Sequence, residues 1–210
     1  MQAESVAVLV AHPDDETLWA GGTLLTSPSW SAFVWGACRA HDANRAPKFQ
    51  RALLELRAQG TLSDLNDEPE QLPLADGLLE QSLLKSLPRR RFDRILTHSP
   101  LGEYTRHVRH EEVARAVLQL WLRGTLSASE IWLFAYDDDR GRRLPSALAN
   151  ADITLELPCE VWQKKHRLIT DCYGFTSTSW EARATPRTEA FFRITDHERA
   201  RTFLARAQSR

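Results

Sequence analysis

Residues 5–17 read SVAVLVAHPDDET, in which the apolar run of residues 6–11 leads directly into a histidine, a proline and two aspartates. A short Val-rich run of this kind predicts a strand buried on both faces, as in the interior of a parallel sheet. Pro13 ends the strand because its nitrogen has no hydrogen to donate to a neighbouring strand. Functional groups of open α/β sheets lie beyond the carboxyl ends of the strands, and buried ionisable groups need a partner, of which a cation is the simplest. The stretch therefore predicts the first strand and, at its end, one wall of a functional site.

Strand and helix patterns alternate along the rest of the chain. The segments with strand character are 32–40, 62–67, 92–97, 130–136, 153–157 and 188–194, the last as an edge strand. The segments with helical periodicity are 17–25, 45–60, 77–87, 111–123, 159–173 and 196–207, with Gly60 ending the second. This alternation predicts an α/β protein with a doubly wound parallel sheet. No repeat or linker divides the sequence, so we expect a single domain over residues 1–210.

The composition excludes several classes of protein. Hydrophobic residues make up 42% of the chain and charged residues 26%, which is typical of a soluble globular domain. A net charge of −1 gives no electrostatic basis for binding nucleic acid. No stretch approaches the roughly 18 apolar residues of a membrane span, and the three cysteines form no C-x-x-C pair. We therefore expect a cytoplasmic protein with a small-molecule partner, and the composition is compatible with either a monomer or a homo-oligomer.

A second cluster of ionisable residues follows another predicted strand. His107 and His110 lie in the stretch EYTRHVRHEE (residues 103–112), at the end of a long polar loop predicted over residues 98–109 after the strand 92–97. Because the carboxyl ends of parallel strands share one edge of a sheet, this cluster is expected to meet the first. His12, Asp15 and His110 would then form a site of two histidines and one carboxylate with an open position. That composition is typical of hydrolytic zinc sites, in which a bound water has a pKa of about 7.

Two further residues are candidates for proton transfer beside that metal. Asp14 could act as the general base on the water, and His107, one helical turn before His110, could act as an acid or electrophile. Alternative interpretations exist for each cluster alone, since adjacent aspartates often cap a helix and histidine pairs are often exposed. The two clusters together favour a metal hydrolase. With two histidines and one aspartate, Fe²⁺, Co²⁺ or Mn²⁺ would also fit.

The same residues resemble a known family. The stretch AHPDDE (residues 11–16) followed by a helix of small residues, and the stretch THSPLGEY (residues 97–104) leading to His107 and His110, are similar to the two motifs of the PIG-L/LmbE-like zinc-dependent N-acetylglucosaminyl deacetylases. The likeness covers roughly the first two-thirds of the chain. It implies a Rossmann-like, doubly wound, mostly parallel sheet with helices on both faces. It also implies removal of the N-acetyl group from an N-acetylated amino sugar or a sugar conjugate.

The resemblance assigns roles residue by residue. It implies Zn²⁺ at His12, Asp15 and His110, the general base at Asp14, and transition-state stabilisation or protonation of the leaving amine at His107.

Four further residues are implied to bind substrate. Tyr104 would lie near the carbonyl oxygen, although it stands three residues before the first histidine where many relatives have it two before. Asp76 would contact sugar hydroxyls. Lys48 replaces an arginine of the family at the start of the second helix, and Arg45 lies one turn earlier on the same face.

Other functions remain open from the sequence. The protein could be an amidase acting on another amide of a sugar conjugate, or a non-catalytic ligand-binding member of the same fold. Asp14 argues against the latter because a binding protein needs no base. Tyr173 and Trp180 could line the substrate cleft or pack in the core, and His98 could support the site from behind.

Overall fold

The computed structural model of the chain describes residues 3–70, 72–104 and 107–209. Thr105 and Arg106, which fall in the predicted loop 98–109, lie outside the described residues. The elements in chain order are β1 (Glu4–Val10), α1 (Asp15–Thr26), β2 (Trp30–Gly36), α2 (Arg45–Leu56), β3 (Gln59–Leu62), α3 (Leu78–Ser86), β4 (Phe92–Thr97), α4 (Val108–Leu122), β5 (Ala128–Phe134), β6 (Tyr136–Asp137), β7 (Ser146–Ala147), β8 (Ile153–Glu156), α5 (Cys159–Arg167), α6 (Trp180–Ala184), β9 (Thr188–Ile194) and α7 (His197–Gln208). A π-helical segment, Leu168–Cys172, continues α5.

The main sheet has the strand order β3-β2-β1-β4-β5-β9-β8. Neighbours from β3 to β5 are parallel, whereas β9 runs antiparallel to both β5 and β8. In register, Val8 of β1 lies opposite Val34 of β2 and Leu96 of β4. The chain winds outward from β1 to β3 and then returns to β4, so the direction of winding changes between β1 and β4. Such a point opens a crevice at the carboxyl ends of the two strands.

Side chains of β1 alternate between two cores, one on each face of the sheet. Ala7 and Leu9 join the core formed with α3, α4 and α7, whereas Val6, Val8 and Val10 join the core formed with α1 and α2. All five side chains are fully buried, and burial of each Val or Leu stabilises the fold by roughly 1.5–3 kcal/mol. The predicted α/β fold, with a mostly parallel sheet and helices on both faces, is confirmed.

The prediction of an edge strand at residues 188–194 is wrong. Strand β9 lies between β5 and β8 and pairs with both. Its central residues Ala190 and Phe191 are fully buried. The edges of the main sheet are β3 and β8.

Two other strand boundaries differ from the prediction, and for β3 the reason is that α2 ends early. Its last residue is Leu56, and Arg57 adopts a left-handed conformation (φ 55°) that stops the helix. Gly60 therefore lies within β3, where a Cβ atom would stand 2.3 Å from the carbonyl oxygen of Val34. Strand β3 thus begins three residues before the predicted segment 62–67 and overlaps it only at Leu62. Strand β2 ends at Gly36 instead of reaching residue 40.

Short elements that the sequence patterns did not predict are β6, β7 and α6. Across the described ranges, no helix combines the length and apolar character needed to cross a bilayer.

Candidate active site

Three predicted ligand atoms converge at the crevice between β1 and β4. The Nδ1 atom of His12 lies 3.2 Å from Nε2 of His110 and 3.3 Å from Oδ2 of Asp15. The third side of this triangle, from Nε2 of His110 to Oδ2 of Asp15, measures 3.4 Å. Ligands about 2.0–2.1 Å from a tetrahedral zinc ion are about 3.4 Å from one another. The three atoms therefore fit one metal ion.

Each ligand is placed by the end of a regular element. His12 follows β1, Asp15 is the first residue of α1, and His110 lies in the first turn of α4. Oδ2 of Asp15 also accepts the backbone N–H of His12 at 2.9 Å, and its Oδ1 accepts Nε1–H of the fully buried Trp19 at 3.2 Å. Both carboxylate oxygens are thus fixed before any metal binds.

The second nitrogen of each histidine ligand contacts a carboxylate. Nδ1 of His110 lies 3.0 Å from Oε2 of Glu103, and Nε2 of His12 lies 2.9 Å from Oδ1 of Asp67. A carboxylate in this position orients a metal-binding imidazole and fixes its tautomer. Burial alone would raise the pKa of Glu103, but the neighbouring His98 and the hydrogen bond from His110 lower it to about 2.

His98 lies behind His110. The backbone N–H of Ala11 donates to Nε2 of His98 at 3.0 Å, and Nδ1 of His98 lies 3.4 Å from Oε1 of Glu103. Its ring stacks on that of His110 with 3.8 Å between centroids. The fully buried His98 side chain therefore packs against a predicted ligand and contacts the carboxylate that holds it.

The backbone of Asp14 is strained. Its φ of 121° lies in a region that residues with a side chain rarely adopt, and such conformations cluster at functional sites. Its N–H donates to Oε2 of Glu16 at 3.0 Å. Oε1 of the fully buried Glu16 accepts the hydroxyls of Thr17 at 2.5 Å and Tyr173 at 2.7 Å. Tyr173 therefore packs in the core and helps to hold the strained turn.

The side chain of Asp14 faces the cavity beside the three ligand atoms. Burial and the neighbouring Asp15 carboxylate raise the pKa of Asp14 to about 8, and the Arg45 guanidinium opposes this change. Nη1 of Arg45 donates to Oδ2 of Asp14 at 2.8 Å. The raised pKa makes the Asp14 carboxylate more basic than an ordinary one, which suits a general base once the carboxyl group has lost its own proton.

His107 stands beside both histidine ligands. Its ring centroid lies 4.7 Å from that of His12 and 4.4 Å from that of His110. Burial and these two neighbours lower the pKa of His107 to about 3, so the ring is neutral at pH 7. Among the described residues, its buried Nδ1 has no hydrogen-bond partner. A neutral imidazole can still donate one N–H to a substrate oxygen.

A cavity of about 320 Å³ opens in front of these groups. Its lining includes six predicted site residues: His12, Asp14, Asp15, Arg45, Tyr104 and His107. The Tyr104 ring lies 4.7 Å from that of Trp180, so the two form an aromatic wall. Burial and the carboxylates of Asp15 and Glu103 raise the pKa of Tyr104 above its usual value, which keeps its hydroxyl protonated.

Two predicted substrate residues are not brought to this lining. Asp76 is exposed in the turn before α3, and the amine of Lys48 lies beside Gly174. Arg39 and Asp67 occupy the wall instead.

Sequence reasoning missed Arg39, Asp67 and Glu181 as cavity residues. Arg39 follows β2 and Asp67 follows β3, so both lie beyond the carboxyl end of a parallel strand. The rule that located His12 could have identified these two loops as well. Glu181 lies in the unpredicted helix α6 and carries no comparable signal.

No family model matches the sequence, and no curated protein matches it. Solved structures match its fold. N,N′-diacetylchitobiose deacetylase from Pyrococcus horikoshii is similar with a TM-score of 0.68 and 15% identity, covering 92% of this chain and 84% of that one. The zinc-inhibited form of the teicoplanin deacetylase Orf2 is similar with a TM-score of 0.53 and 14% identity, covering 80% and 83%. The 4-carboxy-2-hydroxymuconate hydratase GalB from Pseudomonas putida is similar with a TM-score of 0.62 and 17% identity, covering 85% and 82%.

These similarities confirm, at the level of the fold, the resemblance predicted from residues 11–16 and 97–104. The fold is shared with deacetylases and also with a hydratase. Because one fold can host different reactions, the activity has to be argued from the chemistry of the site.

Proposed function

We propose that this protein is a metal-dependent hydrolase that removes the N-acetyl group from an N-acetylated amino sugar, such as N-acetylglucosamine, or from a sugar conjugate. The observation that carries the proposal is the triangle of His12, Asp15 and His110 atoms, 3.2–3.4 Å apart, with Asp14 beside it. Two imidazoles and one carboxylate are a typical ligand set for catalytic zinc, and Fe²⁺, Co²⁺ or Mn²⁺ accept the same ligands.

The protein side chains would divide the reaction between them. A Zn²⁺ ion bound by His12, Asp15 and His110 would supply Lewis acidity and a water of lowered pKa. Asp14, held by Arg45, takes one proton from the attacking water. Neutral His107 and the protonated hydroxyl of Tyr104 donate hydrogen bonds to the carbonyl oxygen as it gains negative charge.

The leaving nitrogen needs a proton because an unprotonated amine departs poorly. Asp14 can return the proton that it took from water, so the C–N bond breaks to give a free amine and acetate. The neutral state of His107 at pH 7 favours a role in stabilising the oxyanion over a role as the acid.

The cavity walls suit a single sugar unit. Its volume of about 320 Å³ is at the small end of ligand pockets. Trp180 and Tyr104 present aromatic rings on which the apolar face of a sugar can pack, and Arg39 and Glu181 offer polar groups for hydroxyls.

The test combines metal analysis with an assay of acetate release. Protein purified without added metal is expected to contain about one zinc or iron per chain, and to release acetate from at least one of N-acetylglucosamine, its glycosides and N,N′-diacetylchitobiose. Asp14→Asn should keep the metal and lose turnover. A wild-type protein that binds no metal, or an Asp14→Asn variant with full activity, would contradict the proposal.

Because a hydratase has a similar fold, hydration of an unsaturated carboxylate is the reaction that competes with deacetylation as the proposed function. The unsaturated tricarboxylate 4-carboxy-2-hydroxymuconate should therefore be tested in parallel by its loss of ultraviolet absorbance. Hydration of that compound without acetate release from any N-acetyl sugar would replace the deacetylase proposal.

A further inference from the structure

We propose that Asp67, held by Arg39, is a positioning residue that sets the tautomer and orientation of His12, so that Nδ1 of His12 faces the metal. This inference rests on the metal site of the proposed function.

The two nitrogens of His12 have different surroundings. Nδ1 lies 3.2 Å from His110 and 3.3 Å from Asp15, whereas Nε2 lies 2.9 Å from Oδ1 of Asp67. A carboxylate paired with a guanidinium is ionised and only accepts hydrogen bonds. The proton of a neutral His12 ring therefore resides on Nε2, and the lone pair of Nδ1 points into the triangle of ligand atoms.

Arg39 holds the Asp67 carboxylate that determines the tautomer of His12. Its Nε and Nη2 groups both donate to Oδ2 of Asp67, at 3.0 and 2.7 Å, which leaves Oδ1 for His12. Nη2 also donates to the backbone carbonyl of Asp67 at 3.3 Å. Arg39 has a φ of 73°, in the left-handed region that disfavours a residue with a side chain. Arg39 thus combines a strained backbone with a paired guanidinium, and it lines the cavity.

Backbone hydrogen bonds tie the two loops together. The N–H of Ala40 donates to the carbonyl of Ser63, and the N–H of Leu65 donates to the carbonyl of Ala37, each at 3.0 Å. The loop after β2 is thus fastened on both sides of Arg39 to the residues of the second loop that directly precede Asp67. The pair is held by main chain as well as by its own charges.

A second metal ion is the competing explanation for these groups. Donor atoms of His12, Cys38 and Asp67 lie within 4.8 Å of one another, which would allow an ion between them. A neutral imidazole has one lone pair, however, and that lone pair is on Nδ1 when Nε2 carries the proton. The Arg39 cation on Asp67 also opposes a nearby dication. The contacts therefore favour positioning over a second ion.

The experiment measures zinc affinity of the full-length chain by competition with a chromophoric chelator, with no substrate present. Asp67→Ala is expected to bind zinc about 10-fold more weakly. Asp67→Asn is expected to be weaker still, by about 100-fold, because its amide oxygen will turn to Arg39 and its NH₂ group to His12. That NH₂ group selects the tautomer with the proton on Nδ1, which blocks the metal. Long-range ¹⁵N–¹H spectra of the metal-free variant should show this change of tautomer.

A matched control lies three residues earlier on the same loop. Asp64 pairs with Nδ1 of His41 at 2.8 Å, but the His41 side chain is 86% exposed and lies outside the cavity lining. Asp64→Asn should leave zinc affinity unchanged. Arg39→Gln should weaken zinc binding by less than Asp67→Asn, because the carboxylate remains.

Three results would overturn the inference. The first is wild-type affinity in Asp67→Asn, or a raised KM for substrate with zinc affinity unchanged, which would make Asp67 a substrate contact. The second is an Asp67→Asn variant that binds zinc better than Asp67→Ala. The third is two zinc ions per wild-type chain, with one lost in both Asp67→Asn and Cys38→Ser. Since zinc affinity is measured without substrate, a protein that binds zinc but releases no acetate would contradict the proposed function and leave this inference standing.

Discussion

The two histidines of the candidate metal site are each held by a carboxylate, but the two pairs are built differently. Glu103 lies seven positions before His110, in the same motif, and its side chain is 1% exposed. Asp67 lies 55 positions after His12 and depends on Arg39, whose side chain is 46% exposed. The first pair is a closed, buried network, whereas the second is assembled from separate loops at the mouth of the cavity.

Because of this difference, we expect the two carboxylate–histidine pairs to contribute differently to the stability of the fold and to metal binding. Glu103 also accepts the backbone N–H of Ser99 at 2.6 Å and contacts His98, so its loss would leave several buried polar groups unpaired. Arg39, whose side chain is 46% exposed, can be rehydrated when its pair with the 8% exposed Asp67 is broken. We therefore expect the Glu103 pair to stabilise the fold and the Asp67 pair chiefly to tune the metal.

The largest expected effect is shared by both pairs. His12→Ala and His110→Ala should each lose bound metal and lower kcat/KM by about 1,000-fold or more, because each removes one of three ligands. Elemental analysis of the purified variants and an acetate-release assay check this. If one variant kept its metal and most of its activity, the prediction that both histidines are metal ligands would be wrong.

The next effect distinguishes the pairs by stability. In metal-free protein, Glu103→Gln should lower the free energy of unfolding by about 2–4 kcal/mol, because it breaks a buried charged network. Asp67→Asn, whose Arg39 partner is half in solvent, should lower it by less than about 1 kcal/mol. Urea denaturation followed by circular dichroism measures both. Equal losses would show that burial does not separate the two pairs.

The pH dependence of that difference follows from the Glu103 pKa. Its pKa in the folded protein is about 2, below the ordinary value of 4.5. The ionised form is therefore favoured by folding, and its contribution is present above pH 4.5 and lost as the pH falls towards 2. The shift corresponds to at most about 3 kcal/mol. The stability gap between wild type and Glu103→Gln should thus shrink from pH 6 to pH 2.5, and a gap independent of pH would contradict the cause given for the lowered pKa.

The same contrast explains how far the sequence could predict the site. His12, Asp14, Asp15, His107 and His110 lie in two short motifs at the ends of two buried strands, and the parallel sheet brings those ends together. Their convergence follows from the parallel sheet, which the alternation of strand and helix patterns indicates well.

The part of the cavity wall formed by Arg39 and Asp67 was harder to predict because these residues belong to no motif. Asp67 follows β3, which begins at Gln59 after α2 stops at Leu56, and the periodicity of residues 45–60 did not show this boundary. The same limit applies to β9, whose place between β5 and β8 depends on pairing partners far away in the sequence. Local sequence patterns identify helices and strands. Contacts between separate loops, and the insertion of an antiparallel strand between two others, depend on the assembled fold.

The smallest expected effect concerns the aromatic wall, which belongs to neither pair. Trp180 is 36% exposed and packs on Tyr104 at 4.7 Å, so its indole can be removed without opening the core. If a sugar ring packs there, Trp180→Ala should raise KM about 3- to 10-fold with kcat and zinc affinity unchanged, since an aromatic contact contributes about 0.5–1.5 kcal/mol. Trp180→Phe keeps an aromatic face and should recover most of the loss. A fall in kcat or in zinc affinity would instead tie this wall to the metal, and the division between a buried centre that performs chemistry and an exposed rim that selects substrate would not hold.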